Sequence, residues 1–259
     1  MANKRASEKR GSGGVGSAAG GRAHAVKQPP HNAVLTTSFI HARLLSSLLP
    51  RLIDVSPLVS PRLGVWPGDA PYSQEWSQRI ADGANIDLSA IRGTVHLGAH
   101  VDAPRHYRGG AEGIEARALE RYYGPCQVVD APVARGTRVR PRDLLQAEHA
   151  PRVLLRTGSF PDPENWNADF CGLSGELVEY LWRLGVHLVG IDTPSIDPQG
   201  DKLLESHQAI AERDMAILEG LVLQHVAPGP YTLIALPLKL EGADASPVRA
   251  VLIQEDGAC

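Results

Sequence analysis

From Thr94 to Tyr107 the chain reads Thr-Val-His-Leu-Gly-Ala-His-Val-Asp-Ala-Pro-Arg-His-Tyr. Val95, Leu97, Ala99 and Val101 are apolar, and His96, Gly98, His100 and Asp102 fill the alternate positions. Strict period two predicts a strand with one face packed inward and polar side chains on the other. A helix is disfavoured by Gly98 in mid-segment and by Pro104 at its end. On a straight strand, positions 96 and 100 lie about 13 Å apart at about 3.3 Å per residue. The two imidazoles therefore meet only if the chain curves or bulges at Gly98, which glycine permits. Asp102 is the next residue on that face, and its two oxygens can serve two ions. Pro104 turns the chain, which can bring His106 back towards the same place.

Three histidines and an aspartate within eleven residues are costly to bury without a counter-charge. A divalent cation removes the problem. Imidazole and carboxylate ligands without thiolate suit zinc, with manganese or iron as alternatives. Cys126, Cys171 and Cys259 are far apart and never form a CxxC pair. A disulfide scaffold and a thiolate zinc cluster are both excluded, and a reducing compartment, the cytoplasm, fits.

Elsewhere the chain alternates strand-like and helix-like segments without a repeat. Runs at 127–130, 152–156, 188–192 and 232–236 are short and rich in branched residues, as strands are. Ser174, followed by Glu176 and by Leu177, Tyr180, Leu181 and Leu184, predicts a capped amphipathic helix that ends at Gly185. Helix between strands points to an α/β fold. Pro57, Pro61, Pro67 and Pro71 make residues 57–75 a succession of turns, with Trp66 among them. The net charge of −3 gives no electrostatic case for nucleic acid. No run approaches the roughly 18 apolar residues of a membrane span. The first 53 residues hold eight Lys or Arg against one acid, Glu8. Residues 1–46 are expected to be a disordered basic extension, and 47–259 the functional domain.

His96-Leu97-Gly98-Ala99-His100-Val101-Asp102-Ala103-Pro104-Arg105-His106 resembles the HxGxHxDxPxH signature of the cyclase-like metal-dependent hydrolases. Gly190–Pro198 (GIDTPSIDP) and Met215–Gly220 (MAILEG) narrow the likeness to the kynurenine formamidase (arylformamidase) branch, and it runs from about Leu52 to about Ile253. The resemblance implies a swivelling β/β/α fold, with a barrel-like mixed sheet flanked by helices, and a homodimer. It also implies a binuclear zinc site: His96, His100 and Asp102 on the first ion, Asp102 bridging, His207 on the second, and Glu219 bridging or capping both. On one unbroken helix, positions 207 and 219 would point about 120° apart, so the chain has to bend between them, and Arg213-Asp214 is the expected place.

By the same resemblance His106 is the proton shuttle, and Trp66 offers a flat apolar face to an aryl ring. The implied reaction is hydrolysis of N-formyl-L-kynurenine to L-kynurenine and formate, in tryptophan degradation. An alternative is an isatin-hydrolase-like amidase that opens a cyclic aryl amide at the same metal site. A metal-storing protein without turnover is the rival of another class; it would have no use for an unligated His106. The remaining histidines are read as surface or core residues.

Overall fold

Branched apolar runs in the middle of the chain build a sheet that is covered on both faces. The computed structural model describes residues 50–146 and 150–254. The expected extension at 1–46 lies outside the described residues, as do His24, His31, His41, His149 and Cys259.

The strands are β1 (Arg51–Asp54), β2 (Ser73–Gln78), β3 (Leu88–Arg92), β4 (His100–Asp102), β5 (Tyr123–Asp130), β6 (Arg138–Val139), β7 (Arg152–Arg156), β8 (Gly172–Leu173), β9 (Leu188–Ile191), β10 (Ala216–Glu219), β11 (Gly229–Ile234), β12 (Ala245–Pro247) and β13 (Val251–Gln254). Three α-helices accompany them among the described residues: α1 (Pro104–Tyr107), α2 (Gly175–Arg183) and α3 (Glu205–Glu212). Nine strands form one curled sheet in the order β1-β13-β11-β5-β7-β9-β10-β4-β12. Its centre, β5-β7-β9-β10, is parallel, and its flanks are antiparallel. The architecture is thus mixed α/β, as the sequence predicts.

Alternation along the central strands splits the core. Val128, Leu154, Leu188 and Leu218 pack on one face with Val101, Leu233 and Leu252. Val129, Val153, Leu155, Val189 and Ile217 pack on the other, against Leu177, Val178 and Leu181 of α2 and Ile210 of α3. Burial on both faces is why β7 and β9 read as continuous apolar runs. Helix α2 lies where the sequence puts it. The Ser174 hydroxyl accepts from Leu177 N at 3.1 Å, and Gly185, at φ 84°, ends it.

The histidine segment departs from expectation. Only His100–Asp102 is strand; residues 95–99 are bends rather than a continuation of it. Gly98 sits at φ 61°, where an added Cβ would meet Pro57 Cγ at 3.1 Å and Leu63 Cδ2 at 3.3 Å. The left-handed residue breaks the extended backbone and folds His96 over His100, so the period-two strand is shorter than its polar pattern. Leu97, Ala99 and Val101 still point into the core.

Strands β2 and β3 form a separate two-stranded hairpin, exposed along its whole length.

Candidate active site

Strand β4 sits between β10 and β12, and this register assembles the centre. Val101 enters the core, which turns His100 and Asp102 to the opposite face. Across the ladder His100 pairs with Glu219 and Asp102 with Ile217. Glu219 therefore shares a face with His100, and their Oε2 and Nε2 atoms lie 3.1 Å apart. An apolar residue would be expected at the end of Ala216-Ile217-Leu218; the carboxylate there faces the histidines instead. Gly220 follows at φ 67°, so tight on Gly98 that an added Cβ would stand 2.1 Å from its carbonyl oxygen.

His207 arrives from α3. The helix ends at Arg213, Asp214 takes φ 47°, and β10 begins at Ala216. The bend needed between positions 207 and 219 falls where the sequence suggests. His207 looks like a helix-surface residue in sequence, yet it is only 2% exposed.

The structure brings His96, His100, Asp102, His207 and Glu219 together, with a consistent polarity of the rings. His96 Nδ1 lies 3.1 Å from Asp102 Oδ1, and His100 Nε2 lies 3.7 Å from the same oxygen. His207 Nε2 lies 3.5 Å from Asp102 Oδ2 and 3.8 Å from Glu219 Oε1. The outward nitrogens all have acceptors: Asp244 Oδ2 at 2.9 Å for His96 Nε2, Gly98 O at 2.8 Å for His100 Nδ1, and Asp197 Oδ2 at 2.7 Å for His207 Nδ1. One nitrogen fixed from outside and one turned inward is how metal-binding histidines are held.

Inside, the polar atoms are left over. Among the described residues, His100 Nε2 and both Asp102 oxygens are buried without a hydrogen-bond partner, a costly arrangement unless something else occupies the centre. Burial alone would lower the pKa of His96, but Asp102 and Asp244 outweigh it and hold the ring up at about 9. Burial likewise opposes charge on His207, and Asp102 and Asp197 raise it to about 10. Burial would raise the Asp102 carboxyl, yet the facing His207 and His96 hold it well below its usual range. The electrostatics ask for positive charge between the carboxylates, and a divalent cation supplies it. Two overlapping groups have ligand atoms close enough to share an ion: His100, Asp102 and Glu219, and His96, Asp102 and His106. Asp102 belongs to both. His106 is thus nearer to the ligand set than the sequence suggests.

His106 comes back as Pro104 predicts, on the single turn of α1. Its ring centroid is 4.2 Å from that of His96 and 5.9 Å from that of His207. It borders a cavity of about 450 Å³ that also holds His96, His100, His207 and Glu219, within the usual range for small-molecule sites. The opposite wall is aromatic. Trp66 meets Trp166 edge-on at 5.7 Å between centroids, and Phe160 meets Trp166 at 5.5 Å. Trp66 lines the cavity.

Four contributors escape sequence reasoning. Asp197 lies in the GIDTPSIDP stretch but has no spacing relative to His207; Asp244, Phe160 and Trp166 lie in loops without periodicity. Asp197 accepts from Ser206 N at 3.0 Å and His207 N at 3.1 Å, so it caps α3 while holding its histidine.

Residues 53–198 match the family described as "Putative cyclase". Over 206 residues the chain is 47% identical to the kynurenine formamidase of Bordetella petrii, covering 79% of this chain and 98% of that protein. The chain belongs to the cyclase family, on its kynurenine formamidase branch. Among solved structures, a predicted metal-dependent hydrolase from Bacillus stearothermophilus superposes with TM-score 0.68 at 25% identity, over 80% of this chain and 100% of that one. Isatin hydrolase A from Ralstonia solanacearum shares the fold, with TM-score 0.66 at 20% identity, over 90% of this chain and 100% of its own. The protein is a hydrolase. Among the described residues, no helix is long and apolar enough to cross a membrane.

Proposed function

We propose that the chain hydrolyses N-formyl-L-kynurenine to L-kynurenine and formate at a centre of two zinc ions, in tryptophan degradation. The observation that carries the two-ion reading is Asp102, whose oxygens face different histidines, His96 and His100 on one side and His207 on the other. His96, His100 and Asp102 would hold one ion and His207 the other. Asp102 would be shared between them, and Glu219 would serve both, its Oε2 lying towards His100 and its Oε1 towards His207. When bound, two ions would supply a water acidic enough to act as a nucleophile near neutral pH and would polarise the scissile carbonyl.

The protein's own groups do the rest. The wall of Trp66, Trp166 and Phe160 takes the aryl ring and excludes water from that side of the cavity. His106 borders the same cavity and donates a proton to the departing anilide nitrogen, which would otherwise leave as an anion. Ile196 N, donating to Glu219 Oε1 at 2.6 Å, fixes that carboxylate between the histidines.

The isatin hydrolase fold likeness keeps cyclic aryl amide opening as the second reading, although the 47% identity to a kynurenine formamidase favours the formamide. Rates on N-formylkynurenine and on isatin, measured on one preparation, decide between them. Faster formate release is the expected result, and faster isatin opening overturns it.

A second copy of the chain is the proposed protein partner. A lone two-stranded hairpin is marginal in water, and β2–β3 with its connecting loop exposes Trp76, Ile80, Ile86, Leu88 and Ile91. The buried free thiols Cys126 and Cys171 fit the cytoplasm.

A further inference from the structure

Asp244 immediately precedes β12, and its carbonyl accepts from Ala103 N at 2.8 Å, next to the turn that carries His106. Its side chain stands at the border of the cavity, 45% exposed. One oxygen serves two imidazoles: Oδ2 is 2.9 Å from His96 Nε2 and 3.4 Å from His106 Nδ1. The inner nitrogen of His96, Nδ1, faces Asp102 Oδ1 at 3.1 Å on the side of the candidate centre, so Nε2 is the nitrogen that donates outward. For His106, a proton on Nδ1 directed at Asp244 leaves Nε2 as the nitrogen that exchanges protons with substrate.

We propose that Asp244 is a positioning residue that acts through His106. Its Oδ2 fixes the Nδ1–H tautomer and the ring orientation of the acid–base histidine. Because the same oxygen holds His96, it also sets His106 at a constant place beside the ligand set. The inference rests on the reading of His106 as the proton donor given above. Neither the histidine signature nor the ligand geometry requires an aspartate here, since His96 could find its outer acceptor in a backbone carbonyl, as His100 does.

The test uses the zinc-loaded full chain as wild type, Asp244→Ala, His106→Ala and the double variant. Metal content, kcat and KM on N-formylkynurenine, and the ¹⁵N shifts of the His106 ring are measured. At saturating zinc Asp244→Ala is expected to remain loaded, with affinity weakened by no more than about 10–100-fold through the freed His96 ring, and to lose about ten- to a hundredfold in kcat, with KM changed less than about threefold. In the His106→Ala background the same substitution should cost less than about twofold, because its effect passes through a ring no longer present. Wild-type His106 should show a single Nδ1–H tautomer, replaced by a mixture in Asp244→Ala. Unchanged kcat, loss of metal together with activity, an equal loss in both backgrounds, or a wild-type Nε2–H tautomer would each overturn the proposal. If the wild type released no formate, the functional reading would fail, while the tautomer measurement would still decide the role of Asp244.

Discussion

His100 and Glu219 are cross-strand partners on β4 and β10, and their side-chain atoms meet at 3.1 Å with both residues buried. An antiparallel register thus places one candidate ligand, more than a hundred residues away in sequence, opposite another from the histidine motif. The same ladder puts Ile217 opposite Asp102, which keeps the strand seated in the core while its neighbours face the site.

Removing the charge on Asp102 tests the shared ligand. Asp102→Asn is expected to lose metal and activity together, because a neutral amide cannot supply negative charge to both sides of the centre. Elemental analysis checks it. A variant that retains the wild-type metal content would take Asp102 out of the ligand set.

Asp197 links the fold to the site. It caps α3 and holds His207 Nδ1, and Arg138 Nη1 donates to its Oδ1 at 2.7 Å. Asp197→Ala should weaken metal binding about 10–100-fold by freeing the histidine ring. It should also cost about 1–3 kcal/mol of stability, since buried donors lose their acceptor. Competition with a chelator and urea unfolding measure the two effects. Weakened metal binding with unchanged stability would show that the cap contributes nothing.

These contributions mark the limit of what the sequence discloses. Short branched runs and a Ser-capped amphipathic segment disclosed β7, β9 and α2, because local chemistry decides them. The polar pattern from His96 to His106 disclosed the candidate site but not its backbone, since a single positive-φ glycine replaced half of the expected strand with bends. His207 was named by family resemblance alone and gave no local signal, because its burial depends on packing against distant residues, not on neighbours in α3. Asp197 and Asp244 carry no periodic signal; only tertiary structure brings them within reach of the rings they hold.

His106→Ala should keep its metal and fold but lower kcat by about 10²–10⁴-fold, with a smaller effect on KM. A leaving amine that is more acidic needs less help from a proton donor. The variant should therefore lose less activity on an N-formyl nitroaniline than on N-formylkynurenine. Equal losses, or loss of metal, would make His106 a ligand or a positioning residue instead. The latter outcome is a sharp one, given how close its ring stands to His96 and Asp102.

Deleting residues 1–46 should leave activity and melting temperature unchanged, because a Gly-, Ala- and Lys/Arg-rich composition offers little apolar surface to bury. A thermal scan of the truncated protein beside the full chain checks it; a large drop would give the segment a structural role.

The central claim is that two ions, held through Asp102, support formamide hydrolysis. Its most direct test is titration of the metal-free protein with zinc while formate release from N-formylkynurenine is followed. The account predicts that activity rises to a plateau at two equivalents per chain. Full activity at one equivalent, with no further gain at the second, would contradict it.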